Sequence, residues 1–136
     1  MKKILLTICI LTFTIGIASA QSASSKQDSR KNLTVKVWKR GNAGKGTRYL
    51  DHVTKYDAQG RKIEEIEYNT NSKMVSRCTY SYDEKGKVKQ EVVYDERNKA
   101  VRIRKFEYNT DGTKHKQYNY GPDGKLISVK EFEYVR

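Results

Sequence analysis

The sequence predicts an all-β protein: an antiparallel β-meander of about eight strands, built from hairpin repeats, that forms a thin or single-layer twisted sheet. The first observation behind this prediction is a repeated phrase, in which an apolar or aromatic residue, any residue and a tyrosine are usually followed by Asp or Asn. The anchoring tyrosines are separated by 12, 14, 12, 14, 12 and 14 residues: Tyr56, Tyr68, Tyr82, Tyr94, Tyr108, Tyr120 and Tyr134. Spacings that alternate in this way indicate a repeated unit of two strands.

The second observation is the turn that follows each tyrosine. Asp, Asn or Gly comes first, then two variable residues, and then a residue suited to left-handed backbone: Gly60, Ser72, Gly86, Asn98, Gly112 or Gly124. This order is typical of a hairpin closed by a type I turn and a glycine bulge. Ser72 fits it least well, so we expect a looser turn there. Connections this short join antiparallel neighbours, and they predict strands at 33–39, 47–56, 61–68, 73–82, 87–94, 99–108, 113–120 and 125–134.

The turn type also predicts which side chains share a face. With a bulge at Gly60, Tyr56 faces Lys62, Thr54 faces Glu64 and His52 faces Ile66. Carried through every turn, this register places nearly all aromatic residues of the repeat on one face, together with an excess of Lys and Arg. Neither face is cleanly apolar, which favours a single layer over a sandwich.

The alternative architecture is an eight-stranded up-and-down barrel. It is disfavoured because Arg102, Arg104, Lys114 and Lys116 would then point into a small lumen and need partners there.

The N-terminal part of the chain predicts export. Residues 1–20 read as a signal peptide, with Lys2 and Lys3 before an apolar stretch and Ala18-Ser19-Ala20 as the cleavage signature. Cleavage near Ala20 would place the protein in the periplasm or outside the cell, without a transmembrane segment. Loss of Lys2 and Lys3 lowers the formal net charge from +12 to +10.

The rest of the chain divides into two parts. Residues 21–32 are small and polar and predict a disordered linker, and 33–136 form the β-meander repeat domain. The predicted mature chain has one cysteine, Cys78, and therefore no internal disulfide.

The turn sequences carry a family resemblance. Tyr56-Asp57-Ala58-Gln59-Gly60-Arg61 resembles the YD repeats of bacterial Rhs-type surface proteins, and the stretches 82–87 and 120–125 are looser copies. The whole chain is similar to small secreted Bacteroidota proteins of unknown function, a resemblance that implies no activity. The hairpin array is also similar in architecture to the open single-layer meander of spirochaete outer-surface protein A, which implies nothing about function.

The candidate ligand-binding residues are cations and aromatic rings on the last predicted strands. They are Arg102, Arg104, Phe106, Lys114, Lys116, Tyr118, Tyr120 and Lys130. Rings and cations on one face suit an anionic polysaccharide, a lipid headgroup or a nucleic acid. The alternative is that the cations only shield aromatic pairs and discourage association at the sheet edge.

These observations predict an exported, non-enzymatic binding module with an anionic envelope or extracellular partner. The alternative function is a structural or protein-interaction element that pairs through its exposed edges, 33–39 and 125–134. We predict no catalytic residue, metal ligand or cofactor. His52 and His115 are predicted on opposite faces, Glu64 has no second carboxylate on its face, and Cys78 is expected to be a small buried side chain.

Overall fold

The computed structural model describes residues 25–135, which form one antiparallel sheet of eight strands in chain order. The strands are β1 (Thr34–Arg40), β2 (Arg48–Tyr56), β3 (Lys62–Tyr68), β4 (Met74–Tyr82), β5 (Val88–Tyr94), β6 (Ala100–Tyr108), β7 (Lys114–Tyr120) and β8 (Leu126–Glu131). The all-β meander is therefore confirmed, and the predicted strand ends agree to within one residue. The exception is β8, which ends at Glu131 rather than at 134.

The sheet is open. Each strand pairs only with its neighbours in the chain, so β1 and β8 are edges and the barrel alternative is wrong. Within 25–135, Val53 and Thr54 are the only buried residues other than the glycines Gly60 and Gly121, which confirms the thin, single-layer sheet. No helix in this part of the chain is long and apolar enough to cross a membrane.

The hairpin turns have the predicted backbone. All six predicted positions have positive φ, from 57° at Ser72 to 84° at Gly112. The turn at Ser72 is not looser than the others: Asn69 N–H donates to Lys73 O at 2.9 Å, and Ser72 N–H donates to Asn69 O at 2.9 Å. The side chain of Asn69 accepts from the N–H groups of Asn71 and Lys73, as Asp does in the neighbouring turns. The turn with Ser72 therefore has the same hydrogen bonds as the turns with glycine before and after it.

A second bulge follows every turn, and the sequence-based register does not include it. Tyr56 faces Lys62 as predicted, but the next pairs are Lys55 with Glu64 and Thr54 with Glu65, so Ile63 is an extra residue. The predicted pairs of Thr54 with Glu64 and His52 with Ile66 are therefore wrong. The same one-residue shift follows every later turn, with these extra residues: Ile63, Val75, Lys89, Val101, His115 and Ile127.

This bulge decides which side chains share a face, because a shift of one residue exchanges the two faces. Residues directly opposite each other point to the same side of the sheet. Tyr56, Tyr82 and Tyr108 consequently lie on one face, which we call face A. Tyr68, Tyr94 and Tyr120 lie on the other, face B. The prediction that nearly all aromatic residues share one face is wrong.

The face A tyrosines form a periodic set of hydrogen bonds. Tyr82 donates through its hydroxyl to the carbonyl of Lys62 at 2.6 Å, Tyr108 to Val88 at 2.8 Å and Tyr134 to Lys114 at 2.9 Å. Each acceptor is the first residue of the preceding strand. These bonds explain the tyrosines that end β4 and β6 and the tyrosine three residues after β8, since phenylalanine has no hydroxyl to donate.

The segment before β1 packs on the first repeat turn. Residues 25–28 form one helical turn, Gln27 donates through its side-chain amide to Gln59 O at 2.9 Å, and Asn32 N–H donates to Asp57 O at 2.9 Å. The guanidinium of Arg30 lies 5.5 Å from the ring centroid of Tyr56. Residues 25–32 of the predicted disordered linker therefore lie against the β2–β3 turn, where they contact two backbone carbonyls and a tyrosine ring. The predicted signal peptide, 1–20, and residues 21–24 lie outside the described residues.

Candidate functional site

The structure divides the eight predicted ligand-binding residues between the two faces. Arg102 and Arg104 share face A with Phe106, as the pairing of β5 with β6 shows. Lys114 lies opposite Tyr108, and Lys130 opposite Gln117, both on face A. Face B instead carries Lys116, Tyr118 and Tyr120. The predicted single platform of eight residues is therefore wrong, because the bulge at His115 turns the rest of β7 over.

The five residues that remain together form what we call the cationic patch: Arg102, Arg104, Phe106, Lys114 and Lys130. They lie on three adjacent strands, and β6, β7 and β8 have no acidic residue on face A, since Glu107 and Glu131 both lie on face B. The nearest carboxylate on face A is Glu91, directly opposite Arg104 on β5. Four positive charges therefore stand on this surface against one neighbouring negative charge.

The cations of the patch differ in how free they are. Arg104 is half-buried, and its Nη1 lies 2.8 Å from Glu91 Oε1. The ammonium of Lys114 lies 4.7 Å from the ring centroid of Phe106, which is a cation–π distance. Arg102 and Lys130 are exposed, and neither forms an ion pair with any residue of the described chain. These two are the cations most available to a ligand.

Polar groups surround the patch. Gln117 donates to Asn119 Oδ1 at 2.7 Å, and Asn119 donates to Ser128 Oγ at 3.0 Å. All three side chains lie on face A, between Arg104, Phe106 and Lys130. This chain of two amides and a hydroxyl keeps further donors and acceptors for a polyhydroxylated ligand. Sequence reasoning missed it because the register without the second bulge placed Gln117 and Asn119 on the opposite face.

The three predicted residues on face B have acidic partners or line a groove. Lys116 Nζ lies 2.9 Å from Glu131 Oε1, and this hydrogen bond raises the pKa of the lysine. Tyr118 donates to Glu107 Oε1 at 3.0 Å, and that hydrogen bond raises the pKa of the phenol. An open groove of about 710 Å³ is bordered by Ser81, Gln90, Lys105, Glu107, Tyr118 and Tyr120. Its acidic and basic side chains are mixed, so it is less selective for anions than the cationic patch.

Cations stack on most of the repeat's rings, a pattern that sequence reasoning did not predict residue by residue. The guanidinium of Arg61 lies 4.5 Å from the ring centroid of Tyr82, and that of Arg77 lies 3.9 Å from Tyr94. Arg48 covers Trp38 at 4.1 Å. The ammonium of Lys87 lies 6.0 Å from the ring centroid of Tyr108. Lys87 follows Arg61 by 26 residues, the length of the repeated unit, and this spacing could have predicted the second contact from the first. Many cations of this chain therefore shield aromatic rings. Among the predicted ligand-binding residues, Lys114 does so at Phe106.

The groups that could take part in acid–base or nucleophilic chemistry are His52, Cys78 and His115. His52 shares a hydrogen bond of 2.9 Å with Asp51, whose pKa is lowered, first by its hydrogen bond to Lys39. Burial raises the pKa of the Cys78 thiol, which disfavours the reactive thiolate. His115 is exposed at a bulge. Among residues 25–135, no group of three or more His, Cys, Asp or Glu side chains is placed to hold a metal ion.

Glu64 is a largely enclosed carboxylate that forms ion pairs with cations on two neighbouring strands. It lies on face B, opposite Lys55, and not on the face predicted for it. Its Oε2 lies 2.5 Å from Lys55 Nζ and its Oε1 lies 3.1 Å from Arg77 Nη1. Burial opposes its ionisation, but the hydrogen bonds from Lys55 and Arg77 outweigh burial and lower its pKa. This network joins three strands, β2, β3 and β4.

Comparisons with known proteins add little to this description. No protein-family model matches the chain, and no curated protein matches it. Among solved structures, the crystal structure of an S. aureus TarM mutant in complex with Fondaparinux, alpha-GlcNAc-glycerol and UDP is similar over 84% of this chain and 22% of that chain. The identity is 12% and the TM-score is 0.29. The chain thus spans about a fifth of that protein, and a similarity of this size carries no argument about function.

Proposed function

We propose that the protein is an exported, non-enzymatic binding module whose cationic patch holds an anionic glycan. The observation that carries this proposal is the separation of charge over β6–β8, where face A has Arg102, Arg104, Lys114 and Lys130 and no carboxylate. A surface that carries only positive charges raises the local concentration of anionic ligands and their rate of association. The export part of the proposal rests on the sequence of the first twenty residues.

The neighbouring polar groups favour a glycan over other anions. Gln117, Asn119 and Ser128 present amide and hydroxyl groups beside the cations, and these match the hydroxyls of a sugar. Arg102 and Lys130 would bind the acidic substituents, because they are exposed and have no carboxylate partner in the described chain. The open surface suits a polymer that lies across several strands rather than a small molecule that needs enclosure.

The test is a binding assay with matched charge variants. The full chain is expressed for export, and the purified product is titrated with alginate as a carboxylated glycan, heparin as a sulfated glycan and dextran as a neutral glycan, each at low and at physiological salt. We expect binding to an acidic glycan that weakens with salt. The affinity should fall at least about tenfold in the variant Arg102→Gln/Lys130→Gln, since removing a charged hydrogen bond costs about 1 kcal/mol or more.

The control variant is Lys36→Gln/Lys105→Gln. It removes the same net charge from face B, so it separates a site from a general effect of charge. Equal losses of affinity in the two variants, or no binding to either acidic glycan at low salt, would contradict the proposal. Anionic phospholipid vesicles form a parallel arm, and patch-dependent binding to vesicles but to no glycan would reassign the ligand to a lipid headgroup.

A further inference from the structure

The outer edge of β8 is the most exposed segment with strand structure. All six of its residues are exposed, including Leu126 at 52%, Ile127 at 71% and Val129 at 42%. Among residues 25–135, β8 contacts no strand other than β7. An apolar edge strand with unpaired backbone groups is a template for another strand.

The repeat indicates what kind of strand is missing. The other even-numbered strands, β2, β4 and β6, each run for nine residues and end at the anchoring tyrosine. Their last residues pair outward with the next odd-numbered strand, as Phe106 pairs with Gln117 and Tyr108 with Lys114. β8 has the same phrase, Phe132-Glu133-Tyr134, but its strand ends at Glu131. The other even-numbered strands have a second odd-numbered strand on their outer side at this position, whereas β8 pairs with β7 alone.

The opposite edge supplies a strand of that kind. β1 is an odd-numbered strand that pairs with β2 alone. Because neighbouring strands of a meander alternate in direction, β1 of a second copy placed by translation would run antiparallel to β8 and keep face A on the same side.

Charge also favours this pairing over pairing of β1 with itself. β1 carries Lys36, Lys39 and Arg40 and no carboxylate, so two copies of β1 would repel each other. The stretch from 126 to 134 carries Lys130 against Glu131 and Glu133. Lys36 and Glu131 both lie on face B, the same side of a continued sheet.

We propose that copies of this chain join head to tail, with the outer edge of β8 of one copy accepting β1 of the next as an added antiparallel strand. The interface is heterologous, so it leaves a free β1 and a free β8 at the two ends of every assembly and permits growth beyond a dimer. This inference is independent of the ligand proposed for the cationic patch.

The backbone of β8 provides a specific way to block the edge. Phe132 N–H donates to His115 O at 3.0 Å, and bonded pairs alternate along an antiparallel ladder. The N–H groups of Lys130 and Ser128 therefore point to β7, whereas those of Val129 and Glu131 point outward. Proline at 129 removes an outward donor and keeps the β7–β8 ladder, since edge strands tolerate proline where the N–H faces away from the sheet.

The experiment is sedimentation velocity of the exported full chain over a range of concentrations. It is run at physiological ionic strength, where the repulsion between copies of high positive charge is screened. We expect species larger than a dimer that grow with concentration, and their loss in Val129→Pro. The matched control is Ala58→Pro, which places proline at the turn position that Pro122 holds in a later repeat and should leave assembly unchanged.

Exchanging the charges of β1 and of residues 131–133 tests the contribution of β1 to the interface. This test does not require the proline variant to fold. Lys36→Glu/Arg40→Glu should reduce assembly, and adding Glu131→Lys/Glu133→Lys to it should restore assembly at the native net charge. Hydrogen exchange at 132–134 should slow in the assembled protein. A native chain that stays monomeric at every concentration, assembly that persists in folded Val129→Pro, or assembly that ignores the charge reversal on β1 would each overturn the proposal.

Discussion

The two ends of the sheet are built from the same repeat and differ in burial and in the charge on face A. Over β2–β4, Lys62 pairs with Glu65 at 3.2 Å, and Glu67 accepts from Ser76 at 2.9 Å. The two buried residues of 25–135 that are not glycines, Val53 and Thr54, also lie in β2. Over β6–β8, face A has four cations and no carboxylate, and β8 is exposed throughout. We therefore expect the β2–β4 end to contribute most to stability, and we propose that the β6–β8 end presents charge to a partner.

The packing of the segment before β1 gives the largest expected difference between repeats. Gly60 and Gly86 have similar positive φ, 73° and 76°, but a Cβ at Gly60 would collide with the carbonyl oxygen of Gln27, whereas Gly86 has open space around it. We expect Gly86→Ala to lower the free energy of unfolding by about 1–2 kcal/mol, the cost of left-handed backbone in alanine. Gly60→Ala should cost about 1 kcal/mol more, because residues 25–32 are also displaced from the turn.

Urea unfolding of both variants measures this difference. Equal losses of stability would show that residues 25–32 contribute nothing to the free energy of unfolding.

Burial predicts the next largest difference between the ends. Val53 is 7% exposed and Ile127 is 71% exposed. Val53→Ala should lower the free energy of unfolding by about 1–2 kcal/mol, since a buried apolar side chain is removed. Ile127→Ala should change it by less than about 0.5 kcal/mol, as exposed substitutions do. Chemical denaturation of the two variants measures both changes in the free energy of unfolding. A larger effect at Ile127 would show that the apolar packing lies at the other end of the sheet.

The Glu64 network gives a pH-dependent prediction for the β2–β4 end. The pKa of Glu64 is lowered from its ordinary value of 4.5 in the folded protein, so its contribution to stability is complete above that value and is lost as the pH falls through the folded pKa. Glu64→Gln should lower the free energy of unfolding at neutral pH by about 1 kcal/mol, because Lys55 and Arg77 lose a charged partner.

Stability measured from pH 7 down to acid should therefore fall less steeply in Glu64→Gln than in the native chain. A variant with the native acid dependence would show that Glu64 titrates in the same way in the folded and unfolded chains.

The smallest expected effect is a gain. Ser72 has a φ of 57°. The turns before and after it have glycine at the equivalent position, Gly60 and Gly86. Ser72→Gly should raise the free energy of unfolding by about 0.5–1 kcal/mol, because relief of the left-handed conformation exceeds the extra freedom of glycine in the unfolded chain. Thermal and urea unfolding should both shift upward. A decrease in stability would mean that the serine side chain makes a contribution that outweighs its strain.

Much of the fold was predictable because its signals are local. The Tyr-Asp phrases and the glycines at 60, 86, 112 and 124 set the strands and turns, and short turns leave only one strand order. The open sheet was also predictable, because a barrel would have placed four cations in a small lumen.

The faces were not predictable because one bulged residue decides them. Nothing in the alternation of β7 distinguishes His115 as the extra residue, yet that residue sends Lys116, Tyr118 and Tyr120 to face B and brings Gln117 and Asn119 beside Arg104. The ion pairs that link Glu91 with Arg104, and Lys116 with Glu131, follow from this register and could not be predicted without it.

Cross-strand nuclear Overhauser contacts between β6 and β7 test most directly how the faces are assigned. The bulge predicts backbone contacts between Phe106 and Gln117 and between Arg104 and Asn119. Without the bulge, the turn register pairs Phe106 with Lys116 and Arg104 with Tyr118. Contacts of the first kind would establish the cationic patch as one surface beside the two amides. Contacts of the second kind would return Lys116, Tyr118 and Tyr120 to that surface and contradict the division between face A and face B.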